Sequence, residues 1–199
     1  MKRDGTVACW GYNGNGQVTP PAGPFTQVSA GQWHTYGLKR DGTIACWGNH
    51  DDGRVTPPAG SFTQVSAGGA HTCGLKSDGT AACWGWNHFG EATPLAGSFT
   101  QVKAGSAHTC GVKRDGAIAC WGDNRVGQAT PPVGSFTQVS AGGYHTCGLK
   151  NDGTVACWGV NKYGQASPLA GPFTQATVGA GAENRTGVTG TDGLYPSEL

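Results

Sequence analysis

Long apolar runs are missing from this chain. No stretch approaches the roughly 18 residues that a helix needs to cross a bilayer, so a helical membrane span is not expected. Charge is scarce and balanced: 13 Lys and Arg stand against 12 Asp and Glu, a formal net charge of +1. That balance gives no electrostatic case for a nucleic-acid groove or a membrane surface as partner. The opening Met-Lys-Arg-Asp-Gly-Thr-Val-Ala-Cys-Trp-Gly has no apolar stretch after its charges, unlike a signal peptide. Helical periodicity is absent as well, because Gly breaks every window before an apolar period lasts three turns. The glycines do not recur every third residue, which excludes a collagen helix.

What is plentiful is Gly, at 36 of 199 residues, more than twice the ordinary share of about 7%. Seven Trp and eight Cys accompany it. Many tight turns with a few large packing residues point to an all-β chain.

An internal repeat of 37 residues organises the sequence. Ala-Cys-Trp-Gly recurs with Cys at 9, 46, 83, 120 and 157, and Phe-Thr-Gln recurs with Phe at 25, 62, 99, 136 and 173. His-Thr recurs with His at 34, 71, 108 and 145. Complete units span 25–61, 62–98, 99–135 and 136–172, flanked by a half-repeat at 1–24 and a degenerate half-repeat at 173–199, all within one domain. In the unit starting at Phe62, strands are expected at Thr63–Ala67, His71–Lys76 and Thr80–Trp84, with a short fourth stretch at Glu91–Thr93. Four short strands per unit of about 40 residues is the pattern of a propeller blade.

The hairpin register follows from its turn. Ser77-Asp78-Gly79 suits a three-residue loop whose last residue is left-handed, which Gly adopts cheaply. Leu75 then faces Ala81 and Cys73 faces Cys83. A two-residue Asp-Gly turn would put the two cysteines on opposite faces, and the three-residue turn is preferred. Cys73, Leu75, Ala81 and Cys83 share one face; Gly74, Ala82 and Trp84 share the other. Both faces are apolar, as expected of a sheet buried between neighbours. The small Gly74 and Ala82 should make room for a large side chain of the next blade.

The unit V-x-A-G-x-x-H-T-C-x-L-x-x-D-G-x-x-x-C-W-G-x-N-x-x-G-Q resembles the regulator of chromosome condensation repeat family. The resemblance runs from Lys2 to about Gln175. It implies a β-propeller, typically of seven blades, without implying one activity. Members include a nucleotide-exchange factor for a nuclear GTPase and a bacterial protein inhibitor of β-lactamases. Seven units of this period would need more residues than are present. Met1 occupies the place of Leu38, Leu75, Val112 and Leu149, so Cys9 has no partner position upstream. Two readings stay open: a truncated seven-bladed propeller, or a five-bladed ring closed by joining the two half-repeats, which would leave no sheet edges. A closed ring should be monomeric and an open arc should self-associate. In the tail, Asn184 is read in place of His, Thr186 in place of Cys and Val188 in place of Leu. Asn184-Arg185-Thr186 also fits a glycosylation acceptor.

Three hairpins carry opposed cysteines, Cys73/Cys83, Cys110/Cys120 and Cys147/Cys157, while Cys46 faces Tyr36. Cross-strand disulfides would favour an extracellular or periplasmic setting; the alternative is that Cys is a small buried hydrophobe. The spacing lacks the clustering of a zinc site, and no metal or cofactor is expected. Each Asp-Gly aspartate is explained by its turn. There is no G-x-S-x-G, no Walker loop and no H-E-x-x-H, so no catalytic residue is assigned and the chain is read as not an enzyme. His50, Asp51, Asp52 and His88 come nearest to a polar cluster. The four repeated histidines should hydrogen-bond backbone carbonyls of the same or the next blade, and the repeated tryptophans should pack.

Function is sought where the copies differ. Loops between the first and second strands and between the third and fourth should emerge on one side of the disc, and that side varies. It presents Trp33, His50, Asp51, Asp52, Trp86, His88, Phe89, Arg125, Tyr144 and Tyr163, side chains favoured at recognition surfaces. A rigid scaffold with variable aromatic loops suits a protein-binding or scaffold module. Undirected drift of tolerant loops is the plainer explanation. Alternatives are an exchange factor for a small GTPase, a carbohydrate-binding propeller or a protein inhibitor of an enzyme.

Overall fold

In the computed structural model, which describes residues 1–178 and 186–190, each complete unit forms its own antiparallel sheet. The first holds β1 (Gln27–Ala30), β2 (His34–Leu38) and β3 (Ile44–Gly48). The second holds β4 (Phe62–Ala67), β5 (His71–Lys76) and β6 (Ala81–Gly85). The third holds β7 (Phe99–Ala104), β8 (His108–Lys113) and β9 (Ile118–Gly122). The fourth holds β10 (Phe136–Ala141), β11 (His145–Lys150) and β12 (Val155–Gly159). A final two-stranded sheet joins β13 (Phe173–Val178) to β14 (Thr186–Gly190). The described residues contain no α-helix, only a short 3₁₀ turn at Asp51–Gly53. The sheets are propeller blades. They pack face to face in chain order, and β1, β4, β7, β10 and β13 contact one another in succession along the inner side.

The expected register holds. Cys73 pairs with Cys83 and Leu75 with Ala81, because Lys76 and Thr80 close a turn in which Gly79 takes φ +86°. Asp78 Oδ1 accepts from the Thr80 N–H at 2.8 Å and the Thr80 hydroxyl at 2.7 Å. Those bonds hold its carboxyl below the usual range. The Gly79 carbonyl accepts from the Phe99 N–H at 2.8 Å, so the turn of one blade fixes the first residue of the next.

The fourth segment differs from expectation. Glu91–Thr93 takes no ladder bonds and keeps turn geometry beside its blade. Its backbone instead serves the following blade: the Glu91 carbonyl accepts from Trp121 Nε1 at 3.0 Å and from the Thr109 hydroxyl at 3.1 Å. The space above Gly74 is also filled differently. A Cβ there would collide with the Phe62 ring, and Phe62 belongs to the same blade, not the next. A register shift between Phe62 and Gln64 lets the phenylalanine fold back over the neighbouring strand. Phe25, Phe99 and Phe136 do the same over Gly37, Gly111 and Gly148.

Each core layer is then shared by two blades. Cys73 and Leu75 of one blade meet Phe99, Val102 and Trp121 of the next, and the equivalent residues repeat in the layers before and after. Burial of side chains this large stabilises by roughly 1.5–3 kcal/mol each. Cys73–Cys83, Cys110–Cys120 and Cys147–Cys157 are disulfides. Each closes a short loop, which limits its entropic contribution to about 2–3 kcal/mol. Cys46 and Cys9 are free thiols. Cys46 lies opposite Tyr36, and burial pushes its thiol up to about 12.

Side chains on the inner strands also reach across to the next backbone. Gln27 accepts from the Val65 N–H and donates to the Val65 carbonyl, both at 3.1 Å. Gln64 and Gln101 accept from the Val102 and Val139 N–H groups. The hydroxyls of Ser29, Ser66 and Ser140 accept from Ala67, Ala104 and Val178. The third blade has Lys103 where the others have this serine. An ammonium offers Ala141 no acceptor, and burial lowers the lysine's pKa.

The tail register also needs correcting. Ala176 pairs with Val188 as Val139 pairs with Gly148, so Val188 takes the place of Gly148 rather than of leucine. Thr186 takes the place of Thr146 rather than of cysteine, because the added residues fall between the two strands. Asn184 and Arg185 lie outside the described residues. Replacing Lys103→Ser should raise stability by about 1 kcal/mol, the value of one restored hydrogen bond, measured by urea unfolding. A loss of stability would show that the ammonium has a favourable role.

Candidate functional site

The two variable loop sets lie side by side because backbone bonds join them. The Asn49 N–H donates to the Trp33 carbonyl at 2.8 Å, Trp86 to Ala70 at 3.0 Å, Asp123 to Ala107 at 2.8 Å and Val160 to Tyr144 at 2.9 Å. Within the longer loops, the repeated Asn is structural. Asn87 Oδ1 accepts from the Ala92 N–H at 2.8 Å and its Nδ2 donates to Thr93 at 2.9 Å. Asn13, Asn124 and Asn161 make the same pair of bonds. The residue after the loop Gly closes it from below: Gln17, Gln128, Gln165 and Glu91 accept from the N–H two residues earlier. The second loop departs from this scheme. His50 stands where the others have Asn, Asn49 caps Asp51, and Arg54 bonds the Asp51 carbonyl and the Asp52 carboxylate.

All ten residues expected at the loop face are exposed, but they do not form one cluster. The rings of Trp86, His88 and Phe89 meet in a row, tilted and then edge to face, with centroids 5.9 and 4.8 Å apart. Arg125 from the next loop covers the Phe89 ring at 4.6 Å. Its guanidinium is held by two bonds of 2.9 Å to buried Asp123; these lower the aspartate's pKa and raise the arginine's. Four residues from two adjacent blades thus make a continuous aromatic and cationic patch. Tyr144 is exposed on the short loop of the fourth blade. Trp33 is separate and meets Tyr12 of the first loop edge to face at 6.1 Å. Tyr163 pairs with Lys162.

The acidic pair of the second loop is engaged locally. Asp51 accepts from Asn49 Nδ2 at 2.9 Å and Asp52 pairs with Arg54. Among the described residues, no three of His, Cys, Asp and Glu converge on a point that could hold a metal ion. The patch has aromatic faces and a positioned guanidinium, which suit binding.

The repeated histidines turn inward and are fully buried. Their partners differ from the expected carbonyls. His34, His71 and His108 place Nε2 at 2.8–2.9 Å from the hydroxyls of Thr72, Thr109 and Thr146 in the next blade. Thr109 and Thr146 donate to the carbonyls of Glu91 and Gln128, so each accepts from a histidine Nε2–H. That requires a proton on Nε2, and in the neutral ring that burial favours it fixes the tautomer.

The family of the chain follows from these repeats. A model described as the regulator of chromosome condensation (RCC1) repeat matches residues 25–54, 62–91, 99–128 and 136–165. The chain belongs to the regulator of chromosome condensation repeat family. No curated protein matches it in a sequence search. Among solved structures, this RCC1-repeat chain is similar to the ectodomain of the receptor kinase CR4 from Physcomitrella patens. The identity is 26% and the TM-score 0.76, over 98% of this chain and 59% of that one. The ectodomain of the receptor kinase ACR4 from Arabidopsis thaliana matches at 28% identity and TM-score 0.68, over 84% of this chain and 60% of that one. Prp20p from Saccharomyces cerevisiae, described with its binding to Gsp1p and histones, matches at 13% identity and TM-score 0.73. It covers 86% of this chain and 57% of that one, and shows the fold alone. The chain spans about 60% of the length of these structures.

The buried histidines make acid the weak point of the fold. Burial holds His34 at about 4, His71 at about 3 and His108 at about 4, against an ordinary 6.5. The unfolded chain therefore takes up protons below pH 6.5 that the folded chain refuses until pH 4 or lower. Unfolding free energy should fall between pH 6.5 and 4, by roughly 4 kcal/mol per unit at the steepest for three protons. Urea titrations across that range read the slope. Stability that is flat down to pH 4.5 would show that the rings are accessible or already charged.

Proposed function

We propose that the chain is a non-catalytic binding module that engages a protein partner through its variable loop face. The observation that carries this reading is the continuous patch of Trp86, His88, Phe89 and Arg125, built across two adjacent blades on the face where the copies differ, with Tyr144 exposed on the same face. The opposite face is made of nearly identical Asp-Gly turns. Aromatic residues and Arg dominate the energetics of protein interfaces. Pinning Arg125 to Asp123 reduces the ordering cost of using it. Trp33 with Tyr12, and Tyr163 with Lys162, flank the patch as outlying contacts, and His50, Asp51 and Asp52 form the charged margin. The RCC1-repeat relatives support the reading as a class: Prp20p is described as binding Gsp1p and histones, while the two plant matches are receptor ectodomains.

The test compares three immobilised proteins against extracts of the source cells with quantitative mass spectrometry. They are the wild type, a Trp86→Ser/Phe89→Ser variant, and an Asp78→Ser variant of the constant face. A genuine partner should be retained by the first and third and lost by the second. Titration of that partner should then show a weakening of at least 30-fold for Trp86→Ala or Arg125→Ala, the scale of a hot spot. Equal retention by all three proteins would remove the loop face as the site.

A further inference from the structure

The inner strands carry one departure from an otherwise constant pattern. β4 and β10 both read Phe-Thr-Gln-Val-Ser-Ala, whereas β7 reads Phe-Thr-Gln-Val-Lys-Ala. The three strands keep the same register in their own sheets: Ser66 faces Cys73, Lys103 faces Cys110 and Ser140 faces Cys147. Their backbones therefore point alike, and alternate N–H groups turn toward the inner strand of the preceding blade. There the pattern supplies acceptors. Glutamine takes the first N–H, as Gln101 does for Val139 at 2.7 Å. Serine takes the second at 2.9–3.0 Å, as Ser29, Ser66 and Ser140 do for Ala67, Ala104 and Val178.

Between β7 and β10 the second acceptor is missing. Lysine can only donate, so the N–H of Ala141, a residue 5% exposed, is turned toward a position that gives it nothing to donate to. A buried N–H left in that state is rare and costly. Lys103 is short of a partner too. It is half-buried, and desolvation lowers its pKa with no carboxylate opposing the shift. Among the described residues its side chain makes no salt bridge, and β4, β7 and β10 carry no Asp or Glu. Two donors thus stand at facing positions of adjacent inner strands, and neither is supplied with an acceptor.

We propose that this gap binds a small carboxylate, held between the Lys103 ammonium and the Ala141 N–H. A carboxylate only accepts, and it has two oxygens, so one group answers both donors. Its bond to the ammonium is charge-assisted and about twice as strong as a neutral one, which offsets the cost of drawing both ions from water. The enclosure of both donors restricts the ligand to a few atoms around its carboxyl group. A serine hydroxyl closes the equivalent gap in the blades before and after, so the site exists once. That sets it apart from the repeated bonds that join blade to blade. It lies on the inner strands rather than on the variable loops, and it does not depend on the reading of the Trp86–Arg125 patch.

Sodium acetate and sodium chloride, titrated separately into the wild type, Lys103→Met and Lys103→Ser, test this. The Ala141 amide resonance and the urea midpoint are followed together. In the wild type, acetate should move the Ala141 amide proton downfield along a saturating curve and raise the midpoint in parallel. Lys103→Met leaves the N–H free but removes the ammonium, and should need at least about tenfold more acetate for the same response. Lys103→Ser restores the residue of the other blades. Its Ala141 amide should sit downfield without acetate and show no saturating response. The stability gain expected for this variant applies to anion-poor buffer and should shrink as acetate rises. A response to chloride as strong as that to acetate would overturn the assignment to a carboxylate. An Ala141 amide that responds alike in all three proteins, or in none of them, would overturn the site.

Discussion

Every blade of this protein depends on polar side chains that cross to the next blade. A sheet buried on both faces has no water with which to satisfy its inner edge, and unpaired backbone groups in that setting are costly. Gln27 solves this for Val65, and Ser29 for Ala67, and the same reach of one repeat recurs along the arc. The histidines do the equivalent deeper in the layer, through the threonine hydroxyls. A blade alone would leave these groups unmet, so the 37-residue unit gains stability from its neighbours more than from itself.

That dependence separates scaffold from surface. The residues that recur (Phe, Gln, His, Thr, Trp and the loop Asn) are all used in holding blades to one another or in shaping loops. What remains free to vary are the positions just before the loop Asn, those between it and the loop Gly, and the residue before each repeated His, and these project from one face. The patch of Trp86, His88, Phe89 and Arg125 is assembled there because consecutive blades bring their loops together, not because the residues are neighbours in sequence.

Much of the fold was legible in advance. The Asp-Gly turn determined which residues face each other, and with a period of two a single slip would have separated every cysteine pair. The exposure of the loop residues was legible too, since they are the variable positions of a repeat. Other features were hidden. The folding back of Phe62 over Gly74 depends on a strand irregularity that no pattern of apolar residues encodes. The choice of threonine as the histidine's acceptor depends on where the next blade stops. The division of the loop face into a Trp33/Tyr12 pair and a separate Trp86–Arg125 patch depends on distances between loops.

The amino-acid sequence by itself determined the repeat, the all-β blades, the hairpin register and the cysteine pairs, because all of these rest on contacts within about ten residues of one another. Only the tertiary structure decided how one blade meets the next and which loop residues touch. Those outcomes turn on contacts one whole repeat or more apart, where the angle between packed sheets, rather than local spacing, sets the distance.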